Sequence, residues 1–165
     1  AVPDLVPHAH ILHVVGERDW NMARDRIRDL RADGALPGRL VERYHPVDYL
    51  YDAMPLALAA ADLTVARSGA STLGEFTVTR LPSILVPLPF AGVNQAHNAA
   101  QLVRNGAAIA IDDAKLMTDL TPQVLALLAE HDRLAQMGEA AGRLAQPDAA
   151  QRIADELRQL AARRA

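Results

Sequence analysis

Five short, mostly apolar runs recur along the chain, at residues 10–15, 40–44, 63–66, 83–86 and 107–111, and stretches with helical spacing of apolar residues follow them. Runs of this length are bounded by glycine or proline and are too short for buried helices, so they read as strands. They do not alternate apolar with polar residues, which predicts strands covered on both faces. Parallel strands joined by right-handed helical crossovers meet that requirement, so the expected class is α/β with a Rossmann-like sheet.

Local punctuation fills in the elements. Gly16 ends the first run, and Asp19 is placed to cap a helix carrying Trp20, Ala23, Ile27 and Leu30 on one face. If Asp52 is the next N-cap, Pro55 falls in the first turn, where its missing N–H costs little. Arg67-Ser68-Gly69-Ala70-Ser71-Thr72 reads as a small-residue turn opening a helix with Leu73 and Phe76 inward, and a further helix runs from about Asn94 to Gly106, a favourable C′ residue. From Thr121-Pro122 onward the pattern is helical only, and Pro147-Asp148 restarts the last helix, which carries Ile153, Leu157 and Leu160.

Composition narrows the function classes. A 165-residue chain that is 50% hydrophobic and 22% charged is expected to fold as one domain, residues 1–165, around a single core. A formal charge of −3 without a basic stripe argues against a nucleic-acid partner. With no cysteine there is neither a disulfide framework nor a thiolate site. No apolar stretch approaches the ~20 residues of a membrane span, and the first residues lack a signal-peptide pattern. The six histidines are scattered and no Asp-x-Asp pair occurs, so neither a metal site nor a cofactor is expected. Ser68 and His97 do not make a hydrolase pair, since no Gly-x-Ser-x-Gly elbow surrounds the serine.

In open parallel sheets ligands bind beyond the carboxyl ends of the strands. Two of those loops stand out. At Ser68-Gly69-Ala70 the backbone can turn tightly and offer the unpaired N–H groups of a new helix to a phosphate or a sugar hydroxyl, although Gly69 is equally readable as a turn glycine alone. Glu75, one turn farther on, could accept two hydrogen bonds from ribose hydroxyls or be an ordinary helix glutamate. Asn94, Gln95 and Asn98 cluster three amides near a helix start, as hydroxyl-rich sugars require, or form a cap with solvated neighbours.

Taken together, Arg67-Ser68-Gly69-Ala70-x-Thr72-x-x-Glu75, Leu81-Pro82 through Val86-Pro87, Gln95-x-x-Asn98-Ala99 and Gly106-Ala107-Ala108 resemble the C-terminal domain of the MurG family. Members are inverting UDP-N-acetylglucosamine transferases of the two-domain GT-B fold that make lipid II, a peptidoglycan precursor. The likeness runs from about Ile11 to the last helix. It implies that Glu75 holds the ribose hydroxyls, that the turn from Ser68 to Thr72 faces the diphosphate and sugar with Ala70 acting through its backbone, and that Gln95 and Asn98 bind the N-acetylglucosamine hydroxyls. Leu50 and Tyr51 would border the uracil, with Met54 beside them. Arg67 matches the signature without a firm role, and Asn94 stands where many relatives carry histidine or glutamine.

The resemblance also implies elements outside this sequence: a serine-containing glycine-rich loop upstream of Ala1, and an N-terminal domain that binds the lipid-linked acceptor and supplies the general base. The chain alone is then expected to bind donor without transferring sugar. The intact protein is expected at the cytoplasmic face of the membrane, held peripherally. Two other readings stay open at this level: another UDP-sugar enzyme of this fold, such as a glycolipid glycosyltransferase or a UDP-sugar epimerase, and a non-catalytic nucleotide-sugar-binding module.

Overall fold

The computed structural model describes residues 1–36, 38–89 and 95–163. Its elements in order are α1 (Val2–Leu5), β1 (Ile11–Val14), α2 (Trp20–Ala32), α3 (Gly38–Val41), β2 (Tyr44–Val47), α4 (Met54–Ala60), β3 (Thr64–Ala66), α5 (Ala70–Val78), β4 (Ser83–Leu85), α6 (Gln95–Arg104), β5 (Ala108–Ala110), α7 (Leu116–Ala129), α8 (His131–Leu144) and α9 (Ala149–Ala162). The chain is α/β, and every strand pairing is parallel.

The strands form two hydrogen-bonded groups, β1-β2 and β3-β4-β5. In the second group Ala66, Leu85 and Ala110 share a register, so the three carboxyl ends finish level with one another. The expected covering of both faces holds fully for central β4, where Ser83, Ile84 and Leu85 are all buried. It is incomplete on β1 and β3, each with an unpaired edge among the described residues, since Leu12 of β1 is 46% exposed and Val65 of β3 is 43% exposed.

Apolar residues gather into three clusters. One joins Phe76, Leu81, Leu85, Leu102 and Ala140, so α5, α6 and α8 pack on one face of the β4 region. A second joins Ile84, Val86, Ile111, Leu127 and Met137 from the sheet, α7 and α8. Ile84 and Leu85 point to opposite faces, as adjacent strand residues must, and so connect the two. The third places Ile27, Leu36 and Tyr44 beneath β1-β2. The last helix contributes no buried residue, and its Ile153, Leu157 and Leu160 stripe is exposed.

The crossovers α5–β4 and α6–β5 end their helices identically. Leu81 N donates to Phe76 O at 2.9 Å and Arg80 N to Thr77 O at 3.2 Å; Ala107 N donates to Leu102 O at 3.0 Å and Gly106 N to Val103 O at 3.0 Å. Both are Schellman ends, which need a left-handed residue at C′. Gly106 supplies it with φ 75°, as its position in the sequence suggests, whereas Arg80 takes φ 55° despite its side chain.

Three expectations about local structure need correction. The second strand is Tyr44–Val47 rather than 40–44, because Leu40 and Val41 belong to a helical turn closed by Arg43 N to Leu40 O at 3.0 Å. They pack on the third cluster from that turn, and the true strand is disguised by Pro46, which an edge strand tolerates. The N-cap of α4 is Ala53, not Asp52, although Pro55 does lie in the first turn. Finally, α7 begins at Leu116 and carries Pro122 inside it. An upstream turn sets that start: the Asp112 carboxylate accepts from Ala114 N at 3.0 Å and shapes the 3-10 turn Asp113–Lys115 leading into α7.

Candidate functional site at the carboxyl ends of the strands

The turn between β3 and α5 is the centre of the site. Gly69 is the N-cap of α5, and among the described residues no side chain caps that end, so its first N–H groups are available to water or a ligand. Two hydroxyls of the turn, those of Ser68 and Thr72, are engaged inside the protein. Ser68 is buried, and its Oγ donates to Gln95 O at 2.7 Å; Thr72 Oγ1 donates to Arg67 O at 3.0 Å. Neither of these two hydroxyls keeps its proton for an anion, so a grip on an anion at this turn rests on main-chain amides, the positive end of the α5 dipole and the exposed Ser71.

The amide cluster is joined to this turn directly. Asn98 Nδ2 donates to Ser68 O at 3.0 Å, while Gln95 Oε1 accepts from Leu88 N at 3.0 Å. One arm of each amide therefore locks the start of α6 to neighbouring loops. The other arms, the Gln95 amino group and the Asn98 carbonyl, have no protein partner among the described residues. Together they offer one donor set and one acceptor, a combination suited to sugar hydroxyls. Asn94, the third amide, lies outside the described residues.

Glu75 sits on the second turn of α5 and is exposed. Among the described residues its carboxylate takes no hydrogen bond and joins no ion pair, so it is available to a ligand.

Leu50 and Tyr51 lie on the approach to α4 and Met54 is its first residue, beyond the carboxyl end of β2, and they share no hydrogen bond with the turn at Ser68 among the described residues. Tyr51 is instead latched across to the loop after β1: its Oη donates to Glu17 Oε1 at 2.5 Å, and its ring lies 4.8 Å from that of Tyr49. Donating this bond and sitting beside the glutamate charge push the Tyr51 phenol above its usual range. Both tyrosines are exposed, leaving an aromatic surface at the strand ends.

Arg67, the signature residue without an assigned role, reaches across the sheet end. Its guanidinium donates to Val86 O at 3.2 Å and pairs with the Asp113 carboxylate. Sequence reasoning gave neither Asp113 nor Glu17 a role. No local pattern marks either one, because each earns its partner through loops that meet only in the folded chain.

Comparison with known proteins follows this geometry. The glycosyltransferase family 28 C-terminal domain matches residues 2–153. A UDP-N-acetylglucosamine–N-acetylmuramyl-(pentapeptide) pyrophosphoryl-undecaprenol N-acetylglucosamine transferase of Roseiflexus sp. (strain RS-1) is 40% identical over 99% of this chain and 40% of its own length. The protein of the same name from Anaeromyxobacter sp. (strain K) is 41% identical over 98% of this chain and 40% of its own length. That from Salinibacter ruber is 47% identical over 73% of this chain and 33% of its own. The chain thus spans about two fifths or less of the length of these curated relatives. The crystal structure of Acinetobacter baumannii MurG superposes with a TM-score of 0.76 at 26% identity, over 96% of this chain and 44% of that one. An α/β chain with parallel strands, an uncapped helix start at a Ser-Gly-Ala turn and a match over almost its whole length belongs to glycosyltransferase family 28, as its C-terminal domain.

Proposed function

We propose that this chain is the donor-binding domain of an inverting hexosyltransferase that moves N-acetylglucosamine from UDP-N-acetylglucosamine to a lipid-linked acceptor, lipid I, yielding lipid II for peptidoglycan. The observation that carries the reading is the juxtaposition at the strand ends, among the described residues, of free amides at the start of α5, an unpaired Glu75 carboxylate farther along the same helix, and the spare arms of Gln95 and Asn98 on α6. The names of the relatives support the substrate class.

In this reading the Gly69 and Ala70 amides cradle the diphosphate, and Ser68 and Thr72 hold the turn in shape. Glu75 accepts from the two ribose hydroxyls, Gln95 and Asn98 read the sugar hydroxyls, and Leu50, Tyr51 and Met54 flank the uracil. When the acceptor hydroxyl attacks the anomeric carbon, the bond to the diphosphate breaks and negative charge grows on the departing UDP. Amides already aimed at that position stabilise the charge without reorganising. The general base and the acceptor contacts lie in the remainder of the full-length protein, as does the glycine-rich loop, so the chain alone binds donor and leaves it intact. The intact protein works at the cytoplasmic face of the membrane as a peripheral protein. Among the described residues, no helix is long and apolar enough to cross a membrane.

Calorimetric titration with UDP, UDP-N-acetylglucosamine, ADP and GDP tests the assignment. Binding of the two uridine ligands in preference to the purine nucleotides is expected. Preference for ADP or GDP overturns it, and tighter binding of a different UDP-sugar transfers the chain to another enzyme of the same fold.

A further inference from the structure

We infer that Arg67 and Asp113 form a brace across the carboxyl end of the β3-β4-β5 sheet, and that Arg67 is a positioning residue for donor binding rather than a phosphate ligand. The inference rests on the donor-binding reading for its functional consequence. Neighbouring parallel strands lie ~4.8 Å apart, so a side chain anchored after β3 that reaches a group after β5 spans two inter-strand gaps, or ~10 Å. Arg67 makes that span. On the way it donates to Val86 O at 3.2 Å, at the end of β4, and it finishes on the Asp113 carboxylate. Its own carbonyl accepts from Thr72 Oγ1 at 3.0 Å, which ties the first turn of α5 to the same residue. Asp113 is itself held in place, because the neighbouring Asp112 carboxylate accepts from Ala114 N at 3.0 Å and fixes the turn that carries it. One arginine therefore links the helix start that offers free amides, the loop leading to Gln95, and the turn after β5. A guanidinium already bound to a carboxylate and a carbonyl brings little uncompensated positive charge to a diphosphate.

The brace and a direct phosphate contact predict opposite signs for one substitution. Asp113→Asn removes a negative charge near the site, which strengthens anion binding if Arg67 acts by charge. If the pair is a brace, the same change weakens UDP binding by about threefold, the scale of a partly exposed ion pair. Asp113→Glu then restores the affinity, and adding Arg67→Gln to Asp113→Asn costs less than the two single losses combined. Hydrogen exchange in the unliganded chain provides a readout independent of UDP. The amides of Val86, Leu88 and Ile111, bonded to Ala66 O, Gln95 Oε1 and Leu85 O, exchange faster in Asp113→Asn, while amides under β1-β2 do not change. Unchanged exchange at those three amides, or UDP affinity that holds or rises in Asp113→Asn, overturns the brace. If the unsubstituted chain fails to bind UDP, the donor-binding reading falls, and the exchange rates still decide whether the brace exists.

Discussion

Replacing Glu75 isolates the nucleoside end of the proposed site. Glu75 lies five positions after Ala70, which at 1.5 Å per residue places it ~7.5 Å along α5 from the free amides. Phosphate and ribose contacts can then be perturbed separately on one rigid element. Because Glu75 is exposed and its carboxylate has no partner among the described residues, its loss should change folding stability by no more than about 0.5 kcal/mol. Its contribution to binding is of a different size. Hydrogen bonds to a charged acceptor contribute ~1.5–3 kcal/mol when sheltered, and discounting for an open helix face leaves about 1–3 kcal/mol for Glu75→Ala, or about 5- to 150-fold in Kd. Glu75→Gln keeps one acceptor oxygen and should fall between. Calorimetry with UDP and with its 2′,3′-dideoxy analogue, on both variants, closes a thermodynamic cycle: the penalty should appear with UDP and vanish with the analogue. Unchanged UDP affinity in a folded Glu75→Ala variant refutes the ribose assignment, and so does an equal loss with both ligands.

Two further outcomes test the framework that holds the site. A Cβ added at Gly138 of α8 would stand 2.9 Å from the main-chain oxygen of Arg80, whose left-handed conformation fixes it at the end of α5, so Gly138→Ala should destabilise by about 1–3 kcal/mol. Thermal melting should drop by about 2–10 °C, and an unchanged midpoint means the helices slide apart more easily than this contact implies. His13 Nδ1 lies 2.7 Å from Tyr44 Oη, and burial pushes the imidazole below its ordinary value of 6.5. The unfolded chain therefore binds a proton at this residue before the folded one does, so stability is full above pH 6.5 and declines as pH falls from there toward the lowered value, by at most about 1.4 kcal/mol per unit. Urea midpoints followed through that window should slope less in His13→Asn, and an identical slope assigns the acid sensitivity elsewhere.

Local chemistry alone was enough to place the Ser68-Gly69-Ala70 turn ahead of a helix, Gly106 at a helix end and Pro55 in a first turn, because each depends on a few adjacent dihedral angles and hydrogen-bonding groups. Apolar runs without alternation likewise announced parallel strands. Where a local rule competed with packing, it lost. Leu40 and Val41 looked like strand and instead cover Tyr44 from a turn, and Pro122 looked like a beginning and stands inside α7. Arg80 adopts a glycine-like conformation that no propensity favours, since Leu81 behind it is buried in the core.

The family was legible in the residues from Arg67 to Asn98, yet the bonding inside that motif was not. Ser68 and Thr72 lie in the turn expected to face the ligand, and their hydroxyls donate to main-chain oxygens inside the protein. Arg67 matches the signature without a firm role in the sequence, and its charge is matched by Asp113, which lies 46 residues away. A sequence records which groups are present near one another along the chain. Only the folded chain decides which are already satisfied, because hydrogen bonds and ion pairs form between atoms that parallel crossovers bring together from distant segments.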